Sequence, residues 1–243
     1  MKASKTGVLI VGAAAALGTL AGTVQADLMS NGGFETMVST TGTLPDGYAF
    51  WRGDHSSIVL AENDITPWEG VQMLRFNYTH RTGPTASVGS ELWQVIDVSS
   101  YQSLIRSGQG SVQAGAFFNR VNSDLAPVDT MFSVAVYAYA GDASSFPNQW
   151  GHGELSSRQN TLLSDGEIET WEQALVDMLL PTATDFVVIR ISATENVFND
   201  INGVEFHGHY ADGVEFGIIP TPSALVCLLP VALLGIGRRR RSA

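Results

Sequence analysis

The chain is 243 residues long, and its formal net charge is −11 at neutral pH. All 24 acidic residues lie between residues 27 and 218, where the only basic residues are seven arginines; this balance disfavours nucleic acid or an anionic membrane as a partner of that region. A single cysteine excludes an intrachain disulfide, so the fold depends on its apolar core or on a bound metal ion.

Residues 1–26 have the three parts of a secretory signal peptide. Lys2 and Lys5 give a positive start, residues 7–20 form an apolar run, and the small residue Ala26 ends the segment. A buried amphipathic helix would need a polar stripe at helical spacing, and the run has none. We therefore predict a signal helix that is cleaved after Ala26 and an exported mature chain.

Residues 27–218 alternate apolar and polar side chains in short runs, which is the period of a half-buried strand. Turn-forming residues at 44–47 and 81–84 separate such runs. The segment 141–166 is rich in Gly, Ser, Asn and Asp, and we interpret it as a long surface loop. The pattern predicts a single all-β domain, an antiparallel β-sandwich, with strands at 57–61, 71–77, 92–98, 111–119, 131–140, 172–178, 186–193 and 213–218.

Five segments of this domain, taken in order, resemble the galactose-binding-like jelly roll, which is the scaffold of many carbohydrate-binding modules. The similarity implies a jelly-roll sandwich over residues 27–218. The segments are NGGFE at 31–35, PDGYAFW at 45–51, EGVQMLRF at 69–76, LWQVIDV at 92–98 and YADGVEF at 210–216.

The same resemblance implies a structural calcium site. In the related modules the first and last strands lie side by side, and their carboxylates and carbonyls often hold the ion. Carried over to this sequence, the ligands are Glu35 and Asp212, with Asp27 as a further ligand. Calcium takes about six to eight oxygens, so carbonyls and water would complete the set. The alternative is that the carboxylates only cap turns.

Sugar binding relies on exposed aromatic rings, and the candidates are Tyr78, Trp93 and Trp150. Trp150 is the strongest of them because it lies in the polar segment 141–166. The alternative is that these rings fill the core, as aromatic residues of sandwiches mostly do. Trp51 and Trp171 are assigned to the core for that reason.

Catalytic signatures are absent from the sequence. His207 and His209 are two residues apart, but no zincin spacing accompanies them, and we interpret them as solvated histidines. There is no Gly-x-Ser-x-Gly nucleophile elbow, and the acidic pairs are as frequent as this composition predicts. We therefore expect a protein that is not an enzyme.

Residues 219–243 contain Pro220 and Pro222, an apolar run at 223–237 and four terminal arginines, Arg238, Arg239, Arg240 and Arg241. A helix over the apolar run would be about 22 Å long at ~1.5 Å per residue, which is short for a hydrocarbon core of about 30 Å. This order of features resembles the PEP-CTERM sorting tail, although Thr221 stands where that family usually has Glu.

The resemblance to a sorting tail implies an exosortase-type enzyme as a partner. The tail would anchor the protein transiently in the inner membrane by a short transmembrane helix, and the body would then reach the cell surface or the extracellular matrix. The arginines predict that the tail end stays in the cytoplasm.

Three functions remain open at this point. The first is a non-catalytic surface or matrix protein that binds carbohydrate or exopolysaccharide through its sandwich. The second is a purely structural matrix component without a ligand pocket. The third is a secreted hydrolase on the same sandwich.

Overall fold

The computed structural model describes residues 27–38, 42–77, 89–121, 130–165, 167–195 and 208–221. Within them ten strands form two antiparallel five-stranded sheets, in the orders β1-β4-β9-β6-β7 and β2-β3-β10-β5-β8. The strands of the first sheet are β1 (Arg52–Gly53), β4 (Gly89–Asp97), β6 (Thr130–Tyr139), β7 (Ser156–Leu163) and β9 (Phe186–Glu195). Those of the second sheet are β2 (Ser56–Val59), β3 (Met73–Phe76), β5 (Gly110–Arg120), β8 (Glu172–Leu179) and β10 (His209–Pro220).

The apolar core lies between the two sheets. Strand β8 shows the reason, because Ala174, Val176 and Met178 are buried while the residues between them are exposed. Phe118 of β5 stacks on Phe132 of β6 across the interface, with ring centroids 4.8 Å apart. Each fully buried side chain of this size contributes about 1.5–3 kcal/mol to folding.

Two short α-helices are also among the described elements. Helix α1 (Gln102–Arg106) connects β4 to β5 and buries Ile105. Helix α2 (Phe146–Gln149) follows β6, has Pro147 in its first turn and buries Phe146. No helix among the described residues is long and apolar enough to cross a membrane.

The predicted fold class is confirmed for the body: the chain is an all-β sandwich of two antiparallel sheets. Each of the eight predicted strands overlaps an observed one. The prediction for 141–166 as one loop is wrong, because β7 lies within it and pairs with β6 along its whole length. Strand β7 is almost entirely exposed, and a polar edge strand carries no alternating apolar signal.

Strand β10 contains a β-bulge between Asp212 and Glu215, where three steps on β10 oppose two on β5. Gly213 supplies the extra residue with φ of 54°, a conformation that side chains with a Cβ rarely adopt. The bulge turns the Asp212 carboxyl group into a fully buried position, where it accepts from the N–H of Gly213 and of Glu69.

The two ends of the chain lie mostly outside the described residues. The signal segment 1–26 with Ala26 and the tail from Pro222 to Arg241 are among them. Of the predicted tail, Ile219 and Pro220 continue β10 opposite Ser111 and Gly110, and the N–H of Thr221 donates to the carbonyl of Gln109. The strand therefore runs two residues past the predicted end of the body at 218.

Candidate functional site

The outer face of the first sheet carries a row of residues that face one another across four strands, and two of them are polar. Trp93 of β4 is opposite Arg190 of β9, which is opposite Ala135 of β6, which is opposite Gln159 of β7. Residues in such a register share one face of a sheet. Glu91, two residues before Trp93, lies on the same face.

Arg190 connects the aromatic and polar members of this face. Its Nη1 donates to Oε1 of Glu91 at 3.1 Å, and its Nη2 donates to Oε1 of Gln159 at 2.8 Å. Its guanidinium carbon lies 5.3 Å from the ring centroid of Trp93 and 5.8 Å from that of Tyr137. The guanidinium is therefore held in one orientation by two hydrogen bonds and two rings.

Beside this row is a pit of about 180 Å³. It is lined by the segment 42–44, by Gly53 and Asp54, and by Trp150. Glu91 and Trp93 line it from strand β4. Asp54 is fixed at the pit because its Oδ2 accepts from the N–H of Glu91 at 3.0 Å.

The Trp150 side chain lines the pit and packs on a cluster of other aromatic rings. Its ring meets that of Trp93 edge-on, with centroids 4.3 Å apart and 70° between the planes. A second edge contact joins it to Tyr137 at 5.1 Å. The side chain is half-buried, so it has an exposed part and a packed part.

The rest of this sheet face is filled by apolar side chains. Phe146 of α2 is fully buried there and lies 5.9 Å from Trp93 and 5.4 Å from Tyr139 by ring centroids. Tyr139 in turn stacks on Phe186 at 5.2 Å. The segment that follows β6 therefore covers one part of the face and leaves the pit open at the other.

The electrostatics of the pit follow from its partial burial. Desolvation raises the pKa of Glu91, the Asp54 carboxylate beside it acts in the same direction, and the Arg190 guanidinium opposes both. Desolvation also raises the pKa of Tyr137, so that phenol stays a neutral hydrogen-bonding group at physiological pH.

Of the three predicted sugar-binding aromatics, the structure brings Trp93 and Trp150 together. Trp93 is only 2% exposed, so its expected role as an open platform is corrected: Trp150, Tyr137 and Phe146 cover it. Trp51 is buried, as predicted, and its Nε1 donates to the carbonyl of Asn31. Tyr78 lies outside the described residues.

The polar residues of this sheet face were not found from the sequence. Glu91, Arg190 and Gln159 belong to three strands, and only the sheet register places them side by side. The one available signal was Arg190, a charged residue directly after the apolar run 186–189 of a central strand.

The predicted calcium ligands Glu35 and Asp212 both contact the segment 68–72. Oε1 of Glu35 accepts from the N–H groups of Val71 and Gln72, at 2.8 and 3.0 Å. Oδ2 of Asp212 accepts from the N–H of Glu69 at 3.1 Å. Both carboxylates thus cap the turn between β2 and β3, which is the alternative that the sequence left open.

Asp27 makes its hydrogen bonds outside the segment 68–72. Its Oδ1 accepts from the N–H of Met29 and of Phe216, at 2.9 and 3.2 Å, and this attaches the start of the described chain to β10. Within the described ranges, no three His, Cys, Asp or Glu side chains are grouped so that they could hold a metal ion. A cation site here would therefore rest on Glu35, Asp212 and backbone carbonyls.

Asp212 is nevertheless an unusual buried carboxyl group. Desolvation raises its pKa to about 6 despite the backbone N–H groups that bind it, and the neighbouring Glu69 carboxylate adds to the rise. No basic side chain contributes to this pKa among the residues described. A buried carboxylate without a cation is costly, so this position suits a bound cation or a proton.

His209 corrects the interpretation of the histidine pair as solvated. Its side chain is 1% exposed, and Nε2 is 2.7 Å from Oγ1 of Thr130. Desolvation, with a smaller effect of the Arg120 guanidinium, lowers its pKa to about 3. His207 lies outside the described residues.

No protein-family model matches the chain, and no curated protein matches it. Among solved structures, it is similar to the carbohydrate-binding module TmCBM61 in complex with beta-1,4-galactotriose, with 17% identity and a TM-score of 0.48 over 81% of this chain and 99% of that one. It is also similar to a family 16 carbohydrate-binding module, with 16% identity and a TM-score of 0.42 over 78% of this chain and 99% of that one.

An enzyme is among the similar structures as well. The enzymatically active domain of bacteriophage CBA120 tailspike protein 4 has 13% identity and a TM-score of 0.44, over 79% of this chain and 21% of that one.

Proposed function

We propose that this protein is a non-catalytic carbohydrate-binding protein, and that the pit beside Trp150 is its binding site. The observation that carries the proposal is the Glu91–Arg190–Gln159 row beside the partly buried Trp150 at one pit. Sugars have apolar C–H faces that pack on aromatic rings, and hydroxyl groups that bind fixed polar side chains.

The rigidity of the pit supports this proposal. Trp150 is packed against Trp93 and Tyr137, and Arg190 is held by two hydrogen bonds, so little side-chain entropy would be lost on binding. A preorganised site of this kind gains affinity because it avoids the ordering cost.

The non-catalytic role is part of the same proposal. Glu91 is the carboxylate with a raised pKa in the pit, but it is paired with Arg190, and Asp54 is hydrogen-bonded to the backbone of Glu91. A glycosidase would use two carboxylates, one as a proton donor and one as a base or nucleophile. We expect no release of reducing sugar from any glycan that the protein binds.

We further propose that the protein acts outside the cell. The signal segment 1–26 supports export, and the tail with Pro220, Pro222 and the four arginines supports processing by an exosortase-type enzyme at the inner membrane. Mass spectrometry of the mature protein tests both: the expected N-terminus is Asp27, and the expected C-terminus lies before Arg238. An intact tail on the surface-exposed protein would contradict the processing.

A structural calcium ion is proposed at Glu35 and Asp212, with backbone carbonyls and water as its other ligands. The support is the burial of Asp212 without a basic partner among the described residues and the shared contact of Glu35 and Asp212 with the segment 68–72. Carboxylate and carbonyl oxygens are the ligands that calcium prefers.

The binding proposal is tested with the purified full chain on a glycan array, followed by titration calorimetry with the glycans that bind. Trp150→Ala should reduce affinity at least tenfold, because it removes the aromatic ring that lines the pit. Trp68→Ala is the matched control, because Trp68 is 49% exposed and stacks on Phe117 of the opposite sheet. The proposal would be overturned if no glycan on the array bound, or if wild type and Trp150→Ala bound with equal affinity. Either result would favour a purely structural role.

A further inference from the structure

We infer that the outer face of the second sheet holds a binding site for an organic cation with an apolar stem, of the alkylamine class. This site is separate from the pit beside Trp150, which belongs to the first sheet. The inference therefore goes beyond the proposed function and does not depend on it.

The site is a hollow of about 360 Å³ over strands β10, β5 and β8. Gly115 of β5 and Gly217 of β10 line it, on the face that points away from the core, because Ala114 and Phe216 beside them belong to the core. Neither glycine has a side chain, so the sheet surface is low at both positions. The volume lies within the range of about 300–1,000 Å³ that is usual for small-molecule sites.

Apolar side chains line this hollow. Leu175 of β8 lies opposite Gly115 and leans over it, since its Cδ2 is 2.6 Å from the place that a Cβ on Gly115 would take. Ile219 of β10 is a further apolar residue of the lining. Leu175 is 57% exposed, so an apolar group that entered the hollow would remove part of its surface from water. This lining favours a ligand with an apolar stem.

The charged side chains among the described residues of the lining are all carboxylates, namely Asp27, Asp177 and Glu215. Asp177 and Glu215 are exposed on β8 and β10, and neither forms an ion pair within the described part of the chain. Asp27 is held beside β10 because its Oδ1 accepts from the N–H of Phe216. An anion here would meet like charges, whereas a cation would meet unpaired carboxylates.

The spacing of these carboxylates argues for a cation larger than a metal ion. They do not form a group of three that could hold a metal, as holds for every acidic, histidine and cysteine side chain in the described ranges. An ammonium group has three N–H donors and makes charge-assisted hydrogen bonds to carboxylates one at a time. It keeps its charge at neutral pH, because the pKa of an alkylamine such as the lysine side chain is about 10.4.

The experiment is an NMR titration of the full chain, labelled with ¹⁵N-glycine, with n-alkylamines of one to six carbons, with hexanol and with hexanoate. We expect hexylamine to shift the amide signals of Gly115 and Gly217 and to leave that of Gly151, beside Trp150, in place. Affinity should rise at least twofold for each carbon from propylamine to hexylamine, because each CH₂ group is partly buried. Hexanol and hexanoate should bind at least tenfold more weakly than hexylamine.

Two results of this titration would overturn the inference. If hexylamine binds no more tightly than methylamine, or shifts Gly151 as much as Gly115 and Gly217, it is only a counterion of an acidic protein. If hexanol or hexanoate binds as tightly as hexylamine, the carboxylates do not select a cation.

Two variants test the two parts of the site. Asp177→Asn removes a charge and should lower hexylamine affinity at least threefold, while Asp97→Asn, at an exposed position of the first sheet, should leave it unchanged. All these side chains are exposed, so the variants should fold.

The apolar part is tested in the same way. Leu175→Ala should lower hexylamine affinity at least threefold, because the side chain that leans over Gly115 is removed. Leu163→Ala, which is 50% exposed on β7 of the other sheet, is the matched control and should have no effect. An unchanged hexylamine affinity in Asp177→Asn or in Leu175→Ala would contradict the inference, whatever the outcome of the glycan experiments.

Discussion

The rings of Trp93 and Trp150 meet edge-on with their centroids 4.3 Å apart, and the burial of one is a consequence of the other. Trp93 is 2% exposed on a strand face that would be open to solvent if the segment after β6 did not cover it. Part of the Trp150 side chain stays exposed at the pit, and the buried Trp93 ring packs against the rest of it.

This difference predicts separate effects for the two tryptophans. Trp93→Ala should lower the free energy of unfolding by about 3–5 kcal/mol, because it empties a packed site. Trp150→Ala should cost only about 1 kcal/mol, the value of an aromatic contact, and should act mainly on glycan affinity. Urea denaturation and calorimetric titration measure the two quantities. A large stability loss in Trp150→Ala would show that this ring acts chiefly as part of the core.

The Glu91–Arg190 pair should stabilise the fold measurably. Arg190 is largely buried, with a side chain 13% exposed, while Glu91 is partly open to solvent. A double-mutant cycle with Glu91→Gln and Arg190→Met should give a coupling of about 1–2 kcal/mol, between the values for exposed and buried pairs. The Arg106–Asp185 pair is the control, because its carboxylate is about as exposed as Glu91 while its arginine side chain is 48% exposed, and it should give less than about 1 kcal/mol. Equal couplings would mean that burial adds nothing to the first pair.

Gly32 is predicted to be intolerant of a side chain. A Cβ at this position would lie 2.0 Å from the carbonyl oxygen of Val214, which is backbone and cannot move aside. Gly32→Ala should therefore cost about 3 kcal/mol or more. Gly42→Ala is the comparison, because its φ is 69° but nothing lies within 4 Å of a Cβ there, and it should cost only about 1 kcal/mol. Thermal unfolding of both variants decides whether the contact between the 31–35 motif and β10 is as tight as described.

His209 should make the protein sensitive to acid. Burial lowers its pKa to about 3, against about 6.5 in an unfolded chain, so between these values the unfolded state binds more protons. Stability should be complete above pH 6.5 and fall by about 1.4 kcal/mol per pH unit below it. Asp212 opposes this trend, because its raised pKa of about 6 lets the folded state bind a proton in the same range.

The contribution of His209 is isolated by comparing wild type with His209→Gln at pH 7 and pH 5 in urea. The amide can still bond Thr130, but it does not titrate. We expect wild type to lose about 2 kcal/mol more than the variant over this interval. The same loss in both proteins would assign the acid sensitivity to other groups.

Calcium should raise the unfolding temperature if Glu35 and Asp212 hold the ion. A ligand at one hundred times its dissociation constant stabilises the folded state by about 2.7 kcal/mol. Differential scanning calorimetry with calcium and with EGTA measures the shift, and Asp212→Asn should abolish it. An unfolding temperature that is the same in both conditions would leave the two carboxylates as turn caps.

The sequence predicted the fold better than the site. The alternation of strands such as 172–178 and the ordered motifs from Asn31 to Phe216 are local signals, and they were sufficient for a sandwich of antiparallel strands. Strand β7 was not predicted, because it is held by backbone pairing with β6 and most of its side chains are exposed and polar. Trp150 was identified from its polar surroundings, yet Glu91, which lines the same pit, and the neighbouring Arg190 and Gln159 were not.

By itself, the sequence determined the all-β class of the body and the positions of most of its strands, because alternating apolar residues are a local property of the chain; the signal and sorting segments at its two ends stay predictions. Only the tertiary structure decided which side chains share a site. Glu91, Arg190 and Gln159 are far apart along the chain, and antiparallel register alone places them on one sheet face. The same is true of burial: Trp93 and His209 are enclosed by segments distant in sequence, and no local pattern reports that enclosure.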